Sequence, residues 1–361
     1  MDVIIAFDSH KRYTLASVEK MSGKIVREER LEHKRGAIRA FWGRYAPGTS
    51  VAVETIGTWY GIVDEMEQAA LKPLLVQARR ARLMYGTPNK SDKLDVRGLH
   101  QLKRCGTLPT VWIPPGDWRD KRELPRTRMV LPTERTRLKN RMGSVLDKYG
   151  LQGEVEGVSD KFGRQGRKLI ERCLDLLPAQ TRWTTERLLQ QLDETQGQIE
   201  QIEKRMAEVF EETEAVRLLM TLPGVGFILA VVISQEIGEA RRFGRAEQWA
   251  AYGGTTPRRH AGGDKTRHGK LRTDVNHYLK WAYAEARNLV AVNRQCKADR
   301  QVSKLYNRIR GRRGHSPAAG AVARHLAEAS YWVLTKKESY KEPLVKEFHQ
   351  QEPKRVHVMS R

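Results

Sequence analysis

The chain has 361 residues, and 66 Lys+Arg against 43 Asp+Glu leave it with a formal net charge of +23 and a pI near 10.1. The cations are spread along the length, which implies a polyanionic partner. With no signal peptide at the start and no run near the roughly 18 to 20 apolar residues of a spanning helix, nucleic acid is favoured over a membrane surface. Cys105, Cys173 and Cys296 are far apart and have no metal-ligand spacing, so neither a disulfide framework nor a zinc site is indicated and a reducing, cytoplasmic compartment is expected.

Val3-Ile4-Ile5-Ala6-Phe7 is a short apolar, β-branched run that reads as a buried strand ending at Asp8. Residues 13–19 and 24–30 read as two further strands joined at Ser22-Gly23 in an antiparallel meander. A helix is expected over 36–45, a strand over Val51-Ala52-Val53 ending at Glu54, a helix over 59–70 and a strand over 73–77. Asp92 and Asp95, three apart at the start of a helical pattern, fall on one helix face. Three antiparallel strands followed by alternating helices and strands is the ribonuclease-H-like order, an α/β domain. It would bring Asp8, Glu54, Asp92 and Asp95 to one cluster. Converging like charges are costly unless a cation neutralises them, and oxygen-only ligands favour Mg²⁺ or Mn²⁺. Such a set can hold two ions about 3.5 to 4 Å apart on a phosphodiester.

Residues 118–149 concentrate cations. Pro125 and Pro132 suggest short pieces followed by one stronger helix, 134–149, with an apolar stripe flanked by Arg135, Arg137, Lys139 and Arg141. No acid balances the stretch from Arg135 to Arg141, which favours phosphate contact. Residues 151–180 read as a glycine-containing connector. A long helix then carries Leu188, Leu192, Thr195, Ile199, Ile202, Met206 and Val209 in heptad register, which suits either a bundle helix within the chain or a dimerising coiled coil.

Leu222-Pro223-Gly224-Val225-Gly226 reads as a hairpin between helices, whose backbone N–H groups at Gly224 and Gly226 can face a phosphate. The glycine-rich, basic segment from Thr256 to Lys270 reads as a surface loop, either simply exposed or gripping a nucleic-acid backbone. Beyond Asn293, Lys304, Arg308, Arg310, Arg312 and Arg313 form a basic stretch, a helix near 317–334 reads as packing, and 336–361 as a polar tail.

Taken together, Phe7-Asp8-Ser9-His10-Lys11, Val53-Glu54-Thr55, Lys90-Ser91-Asp92-x-x-Asp95, the Arg135 to Arg141 helix, the Leu222 to Gly226 hairpin and the Pro257 to Gly269 loop resemble the DEDD-type insertion-sequence transposases of the IS-one-ten family. The resemblance covers about residues 3 to 290. It implies a RuvC-like DEDD domain with its basic helix over 1–150, a coiled-coil connector over 151–215, and a mostly helical C-terminal transposase domain over 216–335. It also implies a bacterial, nucleoid-associated recombinase, a homodimer or homotetramer guided by a bridge RNA, that joins donor and target DNA with Mg²⁺. In that scheme a serine of the C-terminal loop attacks the phosphodiester, with Lys265 and Arg267 placed to stabilise the attacked phosphate.

One position departs from the family pattern. Gly262 stands where the resemblance expects the serine nucleophile. An inactivated copy, a substituted nucleophile such as Thr266, and chemistry by metal-activated water alone all remain open. A Mg²⁺-dependent endonuclease resembling a Holliday-junction resolvase, or a nucleic-acid-binding remnant without turnover, are the corresponding alternatives.

Overall fold

The computed structural model describes residues 3–342 apart from 35, 56, 87–90, 212 and 263–264, and only the backbone of 85, 259–261, 265, 266 and 268. Most of the expected 336–361 tail, and Lys90 of the Asp92 motif, therefore lie outside the described residues. The chain divides into two compact units, 1–120 and 121–361.

The first unit holds β1 (Val3–Ser9), β2 (Tyr13–Lys20), β3 (Ile25–Glu32), α1 (Ala37–Trp42), β4 (Ser50–Glu54), α2 (Trp59–Gln68), β5 (Lys72–Val76), α3 (Ala78–Tyr85) and α4 (Asp92–Arg104), with α5 (Gly116–Lys121) at its end. The sheet runs β3-β2-β1-β4-β5, with β1 antiparallel to β2 and parallel to β4. β1 is apolar because it is central. Ile5 and Phe7, with Val51 and Val53 of β4, point into one core beside Phe41, Trp42 and Met66. Ala6 and Ala52 point the other way, where their small side chains admit Val96 and Leu99 of α4. The edge strand β3 is mostly exposed and carries the charged residues Arg27, Glu28, Glu29 and Arg30. The strands fall as the sequence indicates, to within a residue or two. α3 was not anticipated.

The second unit opens with α6 (Glu123–Lys148), a single 26-residue helix that contains Pro132. This corrects the expectation of a segment broken at its prolines. Pro125 sits in the first turn, where a missing N–H costs nothing. Pro132 costs about 3 kcal/mol in a helix interior, offset by packing against the length of α8 (Ala179–Phe210), which follows α7 (Arg164–Asp175). α8 buries Thr185, Leu189, Leu192, Thr195, Ile199, Met206 and Phe210. Its apolar stripe is therefore used inside the chain, with Leu189 and Phe210 more deeply buried than the neighbouring Leu188 and Val209.

The remaining elements are α9 (Glu214–Leu219), α10 (Phe227–Ile237), α11 (Ala246–Tyr252), β6 (Pro257–Gly262), β7 (Lys265–Leu271), α12 (His277–Val292), α13 (Gln301–Arg313) and α14 (His315–Lys336). α10 is apolar on nearly every side because neighbouring helices surround it. A buried polar chain ties α6, α10 and α12 together. Arg126 Nε donates to Glu236 Oε1 at 2.7 Å, Asn276 Nδ2 donates to Glu236 Oε2 at 2.8 Å, and Asn276 Oδ1 caps α12 through the N–H groups of Tyr278 and Leu279. β6 and β7 form an antiparallel hairpin, so the basic segment read as a loop is a two-stranded ribbon. Among the described residues, no helix is long and apolar enough to cross a membrane.

Candidate active site

Asp8 lies near the end of β1 and is 4% exposed. The parallel register pairs Phe7 with Val53, so Asp8 and Glu54 occupy the next positions of neighbouring strands. Alternation puts both on the Ala6/Ala52 side of the sheet, the side that α4 covers. α4 begins there. Ser91 Oγ accepts from Leu94 N at 3.3 Å and caps the helix, and Asp92 and Asp95 occupy its first turn, where the helix dipole favours anions.

Two residues that had no role in the sequence reading join this cluster. His10 Nε2 lies 3.1 Å from Asp8 Oδ2 and 3.1 Å from Asp92 Oδ2, and the Tyr13 hydroxyl donates to Asp92 Oδ2 at 3.0 Å. His10 follows Asp8 by two positions, the strand spacing that returns to the same face, and this was the available signal. Ligand atoms of Asp8, His10 and Asp92 all lie within 4.8 Å of one another.

Burial raises the Asp8 carboxyl to about 6. His10 opposes that shift, and the charges of Asp92 and Asp95 add to it. The bond to Asp92 likewise holds the Tyr13 hydroxyl above its ordinary value. Asp95 is thus close enough for its charge to be felt at Asp8. A buried carboxylate facing two more is the arrangement a cation relieves, and the donor set of carboxylate oxygens plus one imidazole fits a divalent metal.

The structure gives the cations of α6 two kinds of surroundings. Arg135 Nη1 donates to Gln196 at 2.7 Å, and Lys139 lies 3.9 Å from Asp160 and over the Phe162 ring, so both are engaged within the unit. Arg137 and Arg141 are exposed. Gly224 has φ +75°, and a Cβ there would stand 2.4 Å from the Ala286 carbonyl oxygen, so close packing on α12 already requires this glycine. Gly226 precedes α10, and a Cβ there would meet nothing within 4 Å. Both glycines line a cleft of about 400 Å³ with Asn293 and Lys297.

Gly262 ends β6 opposite Lys265, is exposed, and has open space where a Cβ would project. Its backbone is outside the positive-φ region. Arg267, on β7, is exposed, and Ala261 pairs with Thr266 in the backbone register. The side chains of Lys265 and Thr266 lie outside the described residues.

Both halves of the chain match known transposase families. Residues 5–151 match the DEDD transposase family of IS110 elements, described as Transposase, and residues 216–304 match the Transposase IS116/IS110/IS902 family. The chain is 26% identical over 269 residues to the transposase for insertion sequence element IS1111A of Coxiella burnetii, covering 71% of this chain and 70% of that protein. It is 24% identical over 321 residues to a probable family 20 transposase of Pseudomonas aeruginosa, covering 86% and 91%. The transposase for insertion sequence element IS1328 of Yersinia enterocolitica is 24% identical over 226 residues, covering 61% and 64%. The chain belongs to the IS110 family of insertion-sequence transposases.

Proposed function

We propose that this transposase cuts and rejoins DNA phosphodiesters with a RuvC-like first domain, in which Asp8, Glu54, Asp92 and Asp95 hold Mg²⁺ or Mn²⁺. The observation that carries the reading is the convergence of Asp8 and Asp92 on His10, with the charge of Asp95 felt at Asp8. A divalent cation bound there supplies Lewis-acid stabilisation of charge on the phosphodiester. The carboxylates would bind and orient it, while the Tyr13 hydroxyl donates a hydrogen bond to Asp92 and the His10 ring stands against the same carboxylate at 3.1 Å.

In this reading the second unit holds DNA. Arg137, Arg141 and Arg267 offer exposed cations, Arg135 and Lys139 position the α6 surface, Lys265 flanks the attacked phosphate, and the Gly224–Gly226 turn presents backbone N–H groups. Residues 152–215 connect the two family-matching regions. The surplus of +23 supports further polyanion contacts, including a guide RNA, and the scheme takes the chain to be a homodimer or homotetramer in the bacterial cytoplasm, at the nucleoid.

Gly262 favours one second reading. Without a side chain at the expected nucleophile position, the carboxylate cluster alone would support hydrolysis, as in a Holliday-junction-resolvase-like endonuclease; loss of turnover altogether would leave a DNA- or RNA-binding remnant. Incubating the purified chain with Mg²⁺ and DNA carrying the ends of the element decides the matter. Joined strands support recombination, hydrolysed ends support the endonuclease, and unchanged DNA with a mobility shift indicates the remnant.

A further inference from the structure

A run of uncompensated positive charge in the second unit lies on a helix without an assigned role. α13 contains no acidic residue. Its buried residues, Val302, Ser303 and Tyr306, lie on one side, and the Tyr306 hydroxyl meets His315 Nδ1 at 2.7 Å, fixing the helix to the start of α14. At 100° per residue the opposite side is Lys304, Asn307, Arg308, Gly311 and Arg312, all exposed. Lys304, Arg308 and Arg312 recur every four residues, so their charges form one row with about 6 Å of helix rise between neighbours.

The row differs from the cations of other surface helices that are held by acids on the same helix: Arg182 pairs with Glu186, Arg205 with Glu208, and Arg324 with Glu328. Lys304, Arg308 and Arg312 have no ion-pair partner among the described residues. Gly311 lies within the row. A Cβ at 311 would meet nothing within 4 Å, as at the helical glycines Gly143, Gly197 and Gly320, so no packing inside the chain requires this glycine. The open space leaves room for close approach of an external backbone.

We propose that the exposed face of α13, Lys304, Asn307, Arg308, Gly311 and Arg312, binds the phosphate backbone of duplex DNA. This rests on the reading of the chain as a DNA transposase and adds a contact surface to it, most of which lies beyond the C-terminal family match at residue 304. Cations on one helix face neutralise phosphates without reading base edges, so the contact would hold DNA in register and leave sequence selection to other parts of the complex.

The test is the salt dependence of duplex binding by the full chain. The triple variant Lys304→Gln, Arg308→Gln, Arg312→Gln is compared with a control of equal charge loss, Arg182→Gln, Arg205→Gln, Arg324→Gln. The α13 variant is expected to bind duplex more weakly and to lower the log–log salt slope by up to about 0.9 per lost phosphate contact, with the control close to the parent. A slope no lower than that of the control overturns the inference, as does a loss confined to single-stranded RNA. Gly311→Ala, which favours the helix, is expected to weaken duplex binding several-fold at an unchanged or higher melting temperature; undiminished binding removes the contact at Gly311. If the parent chain binds no duplex at low salt, the transposase reading itself fails, which differs from a parent that binds with a slope indifferent to α13.

Discussion

The imidazole Nε2 of His10 lies 3.1 Å from a carboxylate oxygen of Asp92, joining the end of the first strand to the first turn of α4. Asp8 lies at the same distance from that nitrogen, so a single ring holds two of the four acidic positions in place.

His10→Ala should leave the sheet intact, because His10 follows β1 and is partly exposed, but it should loosen Asp92. The Mn²⁺ concentration for half-maximal strand cleavage is expected to rise roughly 10- to 100-fold, the usual cost of removing a group that orients metal ligands. Metal titrations of parent and variant that superimpose would remove His10 from the site.

Asp8→Asn and Asp95→Asn are each expected to abolish Mg²⁺-dependent cleavage while leaving duplex affinity nearly unchanged, since one charge is small beside +23. Cleavage assays paired with mobility shifts check this. Activity surviving in both variants rules out the carboxylate cluster.

Gly262→Ser should fold as the parent does, because the position has open space and no positive φ. If a serine at this position is the nucleophile, the variant gains a phosphoserine-linked DNA adduct visible on a denaturing gel, and strand exchange appears or rises sharply. An adduct in the parent that maps to Thr266 would instead make threonine the nucleophile. Equal hydrolysis by both proteins, with no adduct, would favour the metal-only reading.

The two hairpin glycines should behave differently. Gly224→Ala meets both a positive φ and the Ala286 carbonyl, and is expected to cost about 1 to 3 kcal/mol. Gly226→Ala should change stability by less than about 1 kcal/mol. Thermal unfolding of the two variants provides the comparison, and equal losses would contradict the packing described at Gly224.

His100 gives a pH dependence with a definite sign. It is fully buried in α4 beside Ser17, its Nε2 3.0 Å from the Ser17 hydroxyl, and burial, followed by the charges of Lys103 and Arg104, lowers its pKa from 6.5 to about 4. The folded pKa lies below the unfolded one, so the unfolded chain binds the proton more readily. The stability contribution is complete above about pH 6.5 and is lost as pH falls toward 4, by up to about 3 kcal/mol. His100→Gln keeps a hydrogen-bonding side chain but cannot titrate, so it should gain stability relative to the parent between pH 6.5 and 4 in denaturant titrations. A constant difference across that range would show that His100 does not carry the effect.

The first unit was the more legible half of the chain. Short β-branched runs ending in Asp8 and Glu54 announce buried strands, and the Asp92/Asp95 spacing announces a helix face. α3 escaped because Ala78-Arg79-Arg80-Ala81-Arg82 has little apolar periodicity and only Ala81 is buried. His10 escaped because a histidine after a strand has many ordinary explanations until Asp92 is brought beside it by the fold. Local rules failed in the second unit for a different reason: Pro132 speaks against a helix, and only contact with α8 outweighs it. Glycine and charge hid the β6–β7 ribbon, whose pairing depends on register rather than on an apolar run.

The α6–α8 pair has a mechanical consequence. At 1.5 Å per residue, α8 extends about 48 Å, and it joins two separate apolar cores, one around Leu189 and Leu192 near its start and one around Met206 and Phe210 at its end. The pair is a lever arm. Pro132 lies about 24 Å along the axis from the far end of α6, and a 10° change of bend there would carry that end through about 4 Å.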